Sequence, residues 1–95
     1  MSVKVRIPSQ LRPLTGGDGM VEIDAGSVGG IIMELENRHP GIAERLLDNG
    51  EVRRFINIYV DGDDIRFASG LDTEAADGAE ISIVPAVAGG AFLIF

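Results

Sequence analysis

Ninety-five residues give one small domain and leave little room for a second. An apolar share of 45% beside 24% charged residues suffices for a core and argues against a disordered chain. Fifteen acidic against eight basic residues set the net charge at −7, which argues against nucleic acid as a partner, because phosphate binding draws on clustered Lys and Arg.

The N-terminal Met1-Ser2-Val3-Lys4-Val5-Arg6 has no apolar stretch of the secretory kind, so the expected compartment is the cytoplasm. Val3, Val5 and Ile7 alternate with Ser2, Lys4 and Arg6, the pattern of a half-buried strand. Pro8 closes it. Pro8 to Gly19, with Pro13 and Gly16-Gly17-Asp18-Gly19, reads as a loop. Met20 to Ile23 forms a second short strand, and Asp24-Ala25-Gly26 turns the chain. Ser27 is placed as a helix N-cap, its hydroxyl accepting an orphan backbone N–H. Val28, Ile31, Ile32 and Leu35 then recur on one helical face, with Glu34, Glu36, Asn37 and Arg38 on the other side. Gly29-Gly30 in the first turn costs about 1 kcal/mol per residue relative to Ala; close packing of helix against sheet accounts for it. A phosphate loop is excluded, since no Gly-x-x-x-x-Gly-Lys-Ser/Thr pattern occurs. His39-Pro40-Gly41 ends the helix.

Ile42 to Leu47 adds one further helical turn, with Ile42, Leu46 and Leu47 inward, and Asp48-Asn49-Gly50 is a loop. Phe55 to Val60 is a strand, with Ile56, Ile58 and Val60 on one face and Phe55, Asn57 and Tyr59 on the other. Asp61-Gly62 signals a hairpin turn. Ile65 to Phe67 reads as a short strand, Ala68 to Gly78 as polar and turn-rich. Ile81 to Val84 is the last strand, Ile81 and Ile83 inward. The order β, β, α, β, short β, β predicts an α+β fold: a mixed sheet with one main helix packed on one face. The right-handed crossover rule puts the first and last strands parallel at its centre. That is the β-grasp, or ubiquitin-like, architecture.

Beyond the last strand the chain reads Val84-Pro85-Ala86-Val87-Ala88-Gly89-Gly90, then Ala91-Phe92-Leu93-Ile94-Phe95. Residues 83 to 95 are almost wholly apolar, but about 18 or more are needed to span a membrane, and no Lys or Arg flanks the run; no membrane is expected. The division is a domain over 1–85, a flexible arm over 86–90 and a removable extension over 91–95.

This ending, the order of elements and the strand-turn Phe55-Ile56-Asn57-Ile58-Tyr59-Val60-Asp61-Gly62 together resemble the bacterial ubiquitin-like sulfur carriers (MoaD/ThiS-like). The likeness spans residues 2 to 90 and is strongest to the actinobacterial branch serving cysteine biosynthesis. It implies a carrier that is a substrate of partner enzymes, with no catalytic residues of its own. An activating enzyme adenylates the Gly90 carboxylate with ATP, and a sulfur donor displaces AMP to leave a thiocarboxylate. That sulfur attacks an aminoacrylate held by a pyridoxal-phosphate cysteine-synthase relative, and a zinc-dependent peptidase frees the product. No cofactor is bound by the carrier itself. The residues suit such a tail. Ala86, Val87 and Ala88 are small or compact enough for a narrow channel. Gly89 and Gly90, lacking Cβ, leave the carbonyl open to attack and the backbone free to bend. The departure is the extension, since members of the family usually end at Gly-Gly. As written, Gly90 has no free carboxylate, and the family-consistent reading is a precursor cut between Gly90 and Ala91. The alternative is a non-carrier relative whose apolar tail packs on its own domain.

Other chemistry is sparse. Zero cysteines exclude disulfides and thiolate chemistry. One histidine, His39, next to Pro40 at a helix end, suits an interaction with the last carbonyls better than a catalytic or zinc role. Asp61-Gly62-Asp63-Asp64 begins like a calcium loop, but Ile65 and Asp72 fall where ligands belong; a turn is expected. Ser27, Ser69 and Ser82 have no neighbouring base in sequence. On the sheet face away from the helix, Phe55, Asn57, Tyr59 and Val84 would form an apolar patch bordered by Lys4 and Arg6, a candidate partner-binding surface. Besides the cysteine-pathway carrier, three readings stay open: a carrier for molybdopterin or another product, a modifier joined to lysine through Gly90, and an interaction domain docking through Phe92 to Phe95.

Overall fold

A computed structural model describes residues 1–85, together with short backbone ladders at 87–88 and 91–92. In chain order the strands are β1 (Ser2–Arg6), β2 (Met20–Asp24), β3 (Gly26–Ser27), β4 (Leu47–Asp48), β5 (Glu51–Val52), β6 (Ile56–Val60), β7 (Asp63–Asp64), β8 (Glu74–Ala75), β9 (Glu80–Pro85), β10 (Val87–Ala88) and β11 (Ala91–Phe92). The helices are α1 (Val28–Arg38) and α2 (Ile42–Leu46). The main sheet runs β2-β1-β9-β6-β7. Its one parallel pair is β1 with β9, Val5 opposite Ile81; the other neighbours are antiparallel. This is the expected β-grasp.

Alternation within each strand decides which side chains meet the helix. Val3, Val5, Ile7, Ile23, Ile56, Ile58, Ile81 and Ile83 are buried on one face of the sheet, and Val28, Ile31, Ile32 and Leu35 of α1 close over them. Ser27 caps α1, its Oγ accepting the Gly30 N–H at 3.1 Å. At the other end the His39 backbone N–H donates to the Leu35 carbonyl at 2.7 Å. Ile42 and Leu46 of α2 are fully buried, and half-buried Leu47 packs against the same core. The two helices are tied by Glu36, whose carboxylate accepts the backbone N–H groups of Ala43 at 2.9 Å and Gly41 at 3.1 Å. Those bonds, the Ala43 one foremost, hold its pKa below the ordinary carboxylate value of 4.5.

Several local expectations are corrected. The 8–19 loop contains a 3-10 turn, Arg12–Thr15, with Pro13 at its start. Leu11 and Thr15 are buried there, and the Thr15 hydroxyl lies 3.1 Å from the Arg12 carbonyl and 2.7 Å from that of Asp18. Asp48-Asn49-Gly50 is more than a loop. It turns the β4–β5 hairpin, with positive φ at Asn49 and Gly50, the geometry whose twist suits a two-residue turn. Asp61-Gly62 does the same between β6 and β7. Phe55 lies just before β6 instead of within it. Ile65–Phe67 is a 3-10 turn, not a strand: the Asp64 carboxylate accepts the Arg66 N–H at 2.8 Å and winds the backbone. Gly29 does not pack against the sheet. A Cβ there would meet the Leu71 carbonyl oxygen at 3.3 Å, so the close approach is to the 3-10 turn Gly70–Asp72.

Candidate functional site

β9 is the middle strand of the five. β1 holds one of its edges as far as Ser82, and β6 holds the other as far as Pro85. The arm therefore departs from the most constrained strand of the domain, and its root at Pro85 is fixed. Of the residues assigned to the arm and the processing site, Ala86, Gly89 and Gly90 lie outside the described residues. Val87 and Ala88 pair antiparallel with Phe92 and Ala91. Among the described residues, no cluster of His, Asp or Glu is placed to hold a metal ion.

The proposed partner surface can be located residue by residue. Lys4 and Arg6 lie exposed on the outer face of β1. Val84, 42% exposed, stands opposite Asn57 on that face, and Tyr59 stands opposite Ser82. Phe55 is 41% exposed at the mouth of β6. The structure thus brings Phe55, Asn57, Tyr59 and Val84 together along β6 and β9. Lys4 and Arg6 lie on the neighbouring strand β1, with Arg6 opposite Ser82, which stands opposite Tyr59; Arg6 pairs with Glu80 at 3.3 Å. Arg54 lies 5.9 Å from the centre of the Phe55 ring, within cation–π range.

Two contributors escaped the sequence. Met20, opposite Arg6 on β2, is 40% exposed and extends the outer face at the far edge. Arg66 shapes the near one. Its guanidinium donates to the carbonyls of Ile56 at 2.6 Å and Arg53 at 3.1 Å, and to the Asn57 side-chain oxygen. One planar fork thereby pins the segment that presents Phe55. No local sequence signal marks this, because Arg66 acts across the β6–β7 turn. Phe67, beside it, is 92% exposed. A cleft of about 420 Å³ is lined by Glu51, Val52, Ile65, Arg66 and Leu71.

The arrangement is a rigid platform with a tail at the end of its central strand and an apolar outer face beside the tail's root. The sulfur carrier protein CysO of Mycobacterium tuberculosis is 48% identical over 93 residues, an alignment covering 95% of this chain and all of that protein. Small archaeal modifier protein 3 of Haloferax volcanii is 32% identical over the same span. The CysO-type structure from the Amycolatopsis orientalis BexX/CysO complex superposes with a TM-score of 0.89 at 48% identity, covering 93% of this chain and 99% of that one. Residues 5–90 match the ThiS family, with the match ending at the second glycine of the tail, and the chain belongs to that family.

Proposed function

We propose that this protein is a sulfur carrier of the cysteine-producing branch, made as a precursor and used as a thiocarboxylate on Gly90. It is a carrier and not an enzyme. The observation that carries the reading is the end of the family match at Gly90, five residues before the end of the chain. A peptidase hydrolyses the Gly90–Ala91 bond and frees the carboxylate. An activating enzyme joins that carboxylate to AMP, with loss of pyrophosphate from ATP. A sulfur donor then displaces AMP, and the C–S bond replaces the C–O bond. The thiocarboxylate adds to an electrophilic alkene held by a pyridoxal-phosphate enzyme, and a zinc-dependent peptidase releases the product. No side chain of the carrier is needed for any of these steps. Its contribution is a narrow, unbranched reactive end and a surface that partners grip.

The outer face supports the partner side of this reading, since exposed aromatics on a rigid strand pair suit docking. The test is mass spectrometry of the full chain after incubation with the activating enzyme, ATP, a sulfur donor and the peptidase. The expected result is loss of residues 91–95 followed by the mass change of one O-to-S exchange. Persistence of the full-length mass, under conditions in which the peptidase cuts a known carrier adduct, would overturn it. A second reading, a modifier joined to lysine, is favoured by the likeness to the archaeal modifier protein. Gel-shifted conjugates in cells, with no thiocarboxylate, would decide for it.

A further inference from the structure

The two ends of the main sheet differ in charge. Where β9 begins, the Asp77 carboxylate accepts the Ser2 N–H at 2.9 Å, and that of Asp61 accepts the Glu80 N–H at 2.9 Å. Where β9 ends, Pro85 stands opposite Ile56, and the charge has the other sign. Arg53 and Arg54 lead into β6 at that end. The Arg66 guanidinium reaches the carbonyls of Ile56 at 2.6 Å, Arg53 at 3.1 Å and Arg54 at 3.5 Å. Three of the eight basic residues thus gather where the tail leaves the domain.

Their charges are not balanced from within. Arg6 and Arg38 are ion-paired with Glu80 and Glu34, but Arg53, Arg54 and Arg66 pair with no carboxylate among the described residues, Glu44 and Glu51 included. Arg53 donates instead to the Glu44 backbone carbonyl at 2.9 Å, and Arg54 lies beside the Phe55 ring. Arg54, Phe55 and Arg66 are all exposed. In a chain of net charge −7 carboxylates are abundant, so guanidinium groups that meet none are open to charge-assisted bonds from outside. An exposed aromatic ring between arginines is the composition of a protein contact. Nucleic acid would be repelled by the rest of so acidic a surface.

We propose that Arg53, Arg54 and Arg66 form a cationic collar at the root of the tail, and that the collar docks against a protein partner whose tail entrance is rimmed by Asp and Glu. Extended, the five residues from Pro85 to Gly90 span about 18 Å, so the collar meets the entrance while the end of the tail lies inside. The acidic rim repels the opposite end of the sheet, and the chain arrives tail first. The collar stands on its own geometry; the activating enzyme as its partner rests on the sulfur-carrier reading.

The experiment titrates the full 95-residue chain, isotopically labelled, with a peptide of alternating Asp and Leu. Full-length Arg54→Glu and Arg38→Glu variants are titrated beside it. Both lower the net charge by the same amount, and Arg38 lies on α1, bonded to the β2 carbonyl of Glu22. Circular dichroism verifies that both are folded. Expected are shifted signals at Arg53, Arg54, Phe55 and Arg66, abolished by high salt. Binding should be about tenfold weaker in Arg54→Glu and close to the parent in Arg38→Glu. Shifts spread over the whole surface, or equal weakening by the two variants, overturn the collar. A DNA oligonucleotide that moves the same signals at lower concentration than the peptide overturns the assignment to a protein partner. In a second arm, sulfur transfer to each full-length chain is followed with the activating enzyme, ATP, a sulfur donor and excess peptidase. Arg54→Glu should raise KM about tenfold at unchanged kcat; an equal KM in all three chains rules out the enzyme as the collar's partner. If no chain acquires sulfur, the parent included, the carrier reading fails, and the peptide titration still decides the collar.

Discussion

Arg66 is the side chain whose removal most directly tests how the outer face is built. Its guanidinium holds the carbonyls of Arg53 and Ile56 and the side chain of Asn57. Arg66→Met keeps the stem and removes the fork. It should cost about 1–2 kcal/mol in urea unfolding and weaken binding to the activating enzyme, as Phe55→Ala should also do. Arg66→Lys should fail to restore binding, since a point charge cannot reach several carbonyls at once; full restoration would show that only charge matters. Glu36 gives a pH test. Its folded-state pKa lies below 4.5 because the Ala43 and Gly41 N–H groups donate to it. The stabilisation is therefore complete above the unfolded value and is lost as pH falls through the lower folded value. Glu36→Gln should flatten the acid limb of stability below about pH 4.5, and denaturant midpoints at pH 6 and pH 3 check it.

At the scale of elements, the close approach of α1 to the 3-10 turn Gly70–Asp72 explains the glycine at position 29, while a Cβ on Gly30 would meet the Ser27 Oγ that caps the helix, at 3.2 Å. The space beside Gly29 ends at the backbone of Leu71, 3.3 Å from where a Cβ would stand. Backbone yields less readily than a side-chain tip. Gly29→Val should overpack the contact and cost about 1–3 kcal/mol, read from the shift in the urea midpoint. A neutral result would mean that the Gly70–Asp72 segment moves freely. The periodicity of 28–35 revealed the helix and its buried face, and Ser27 its start. The partner of Gly29 was not legible, because Leu71 lies 42 positions further along the chain and no local pattern couples the two.

The whole domain is one cooperative unit in its packing. A single buried cluster runs from Val3 to Ile83 and takes in both helices and the main sheet. The parallel pairing of β1 with β9 joins the two ends of the chain at the sheet centre. Neither half can unfold while the other keeps its core. Unfolding should therefore be two-state, with far-ultraviolet circular dichroism and Tyr59 fluorescence giving coincident transitions; separated midpoints would refute this.

The sequence by itself determined the α+β architecture, the helix-facing residues of each long strand and the Gly-Gly tail with its extension. Alternation and helical periodicity are local, and burying one apolar face forces the layers together. Short segments were decided only by tertiary structure. Ile65-Arg66-Phe67 alternates like a strand, yet the Asp64 cap and the reach of Arg66 to β6 make it a 3-10 turn. Arg6 alternates outward as a free cation would, yet in the sheet it stands opposite Ser82 and is engaged by Glu80. Strand order and ion pairing depend on distant parts of the chain meeting, and a linear pattern contains no term for that.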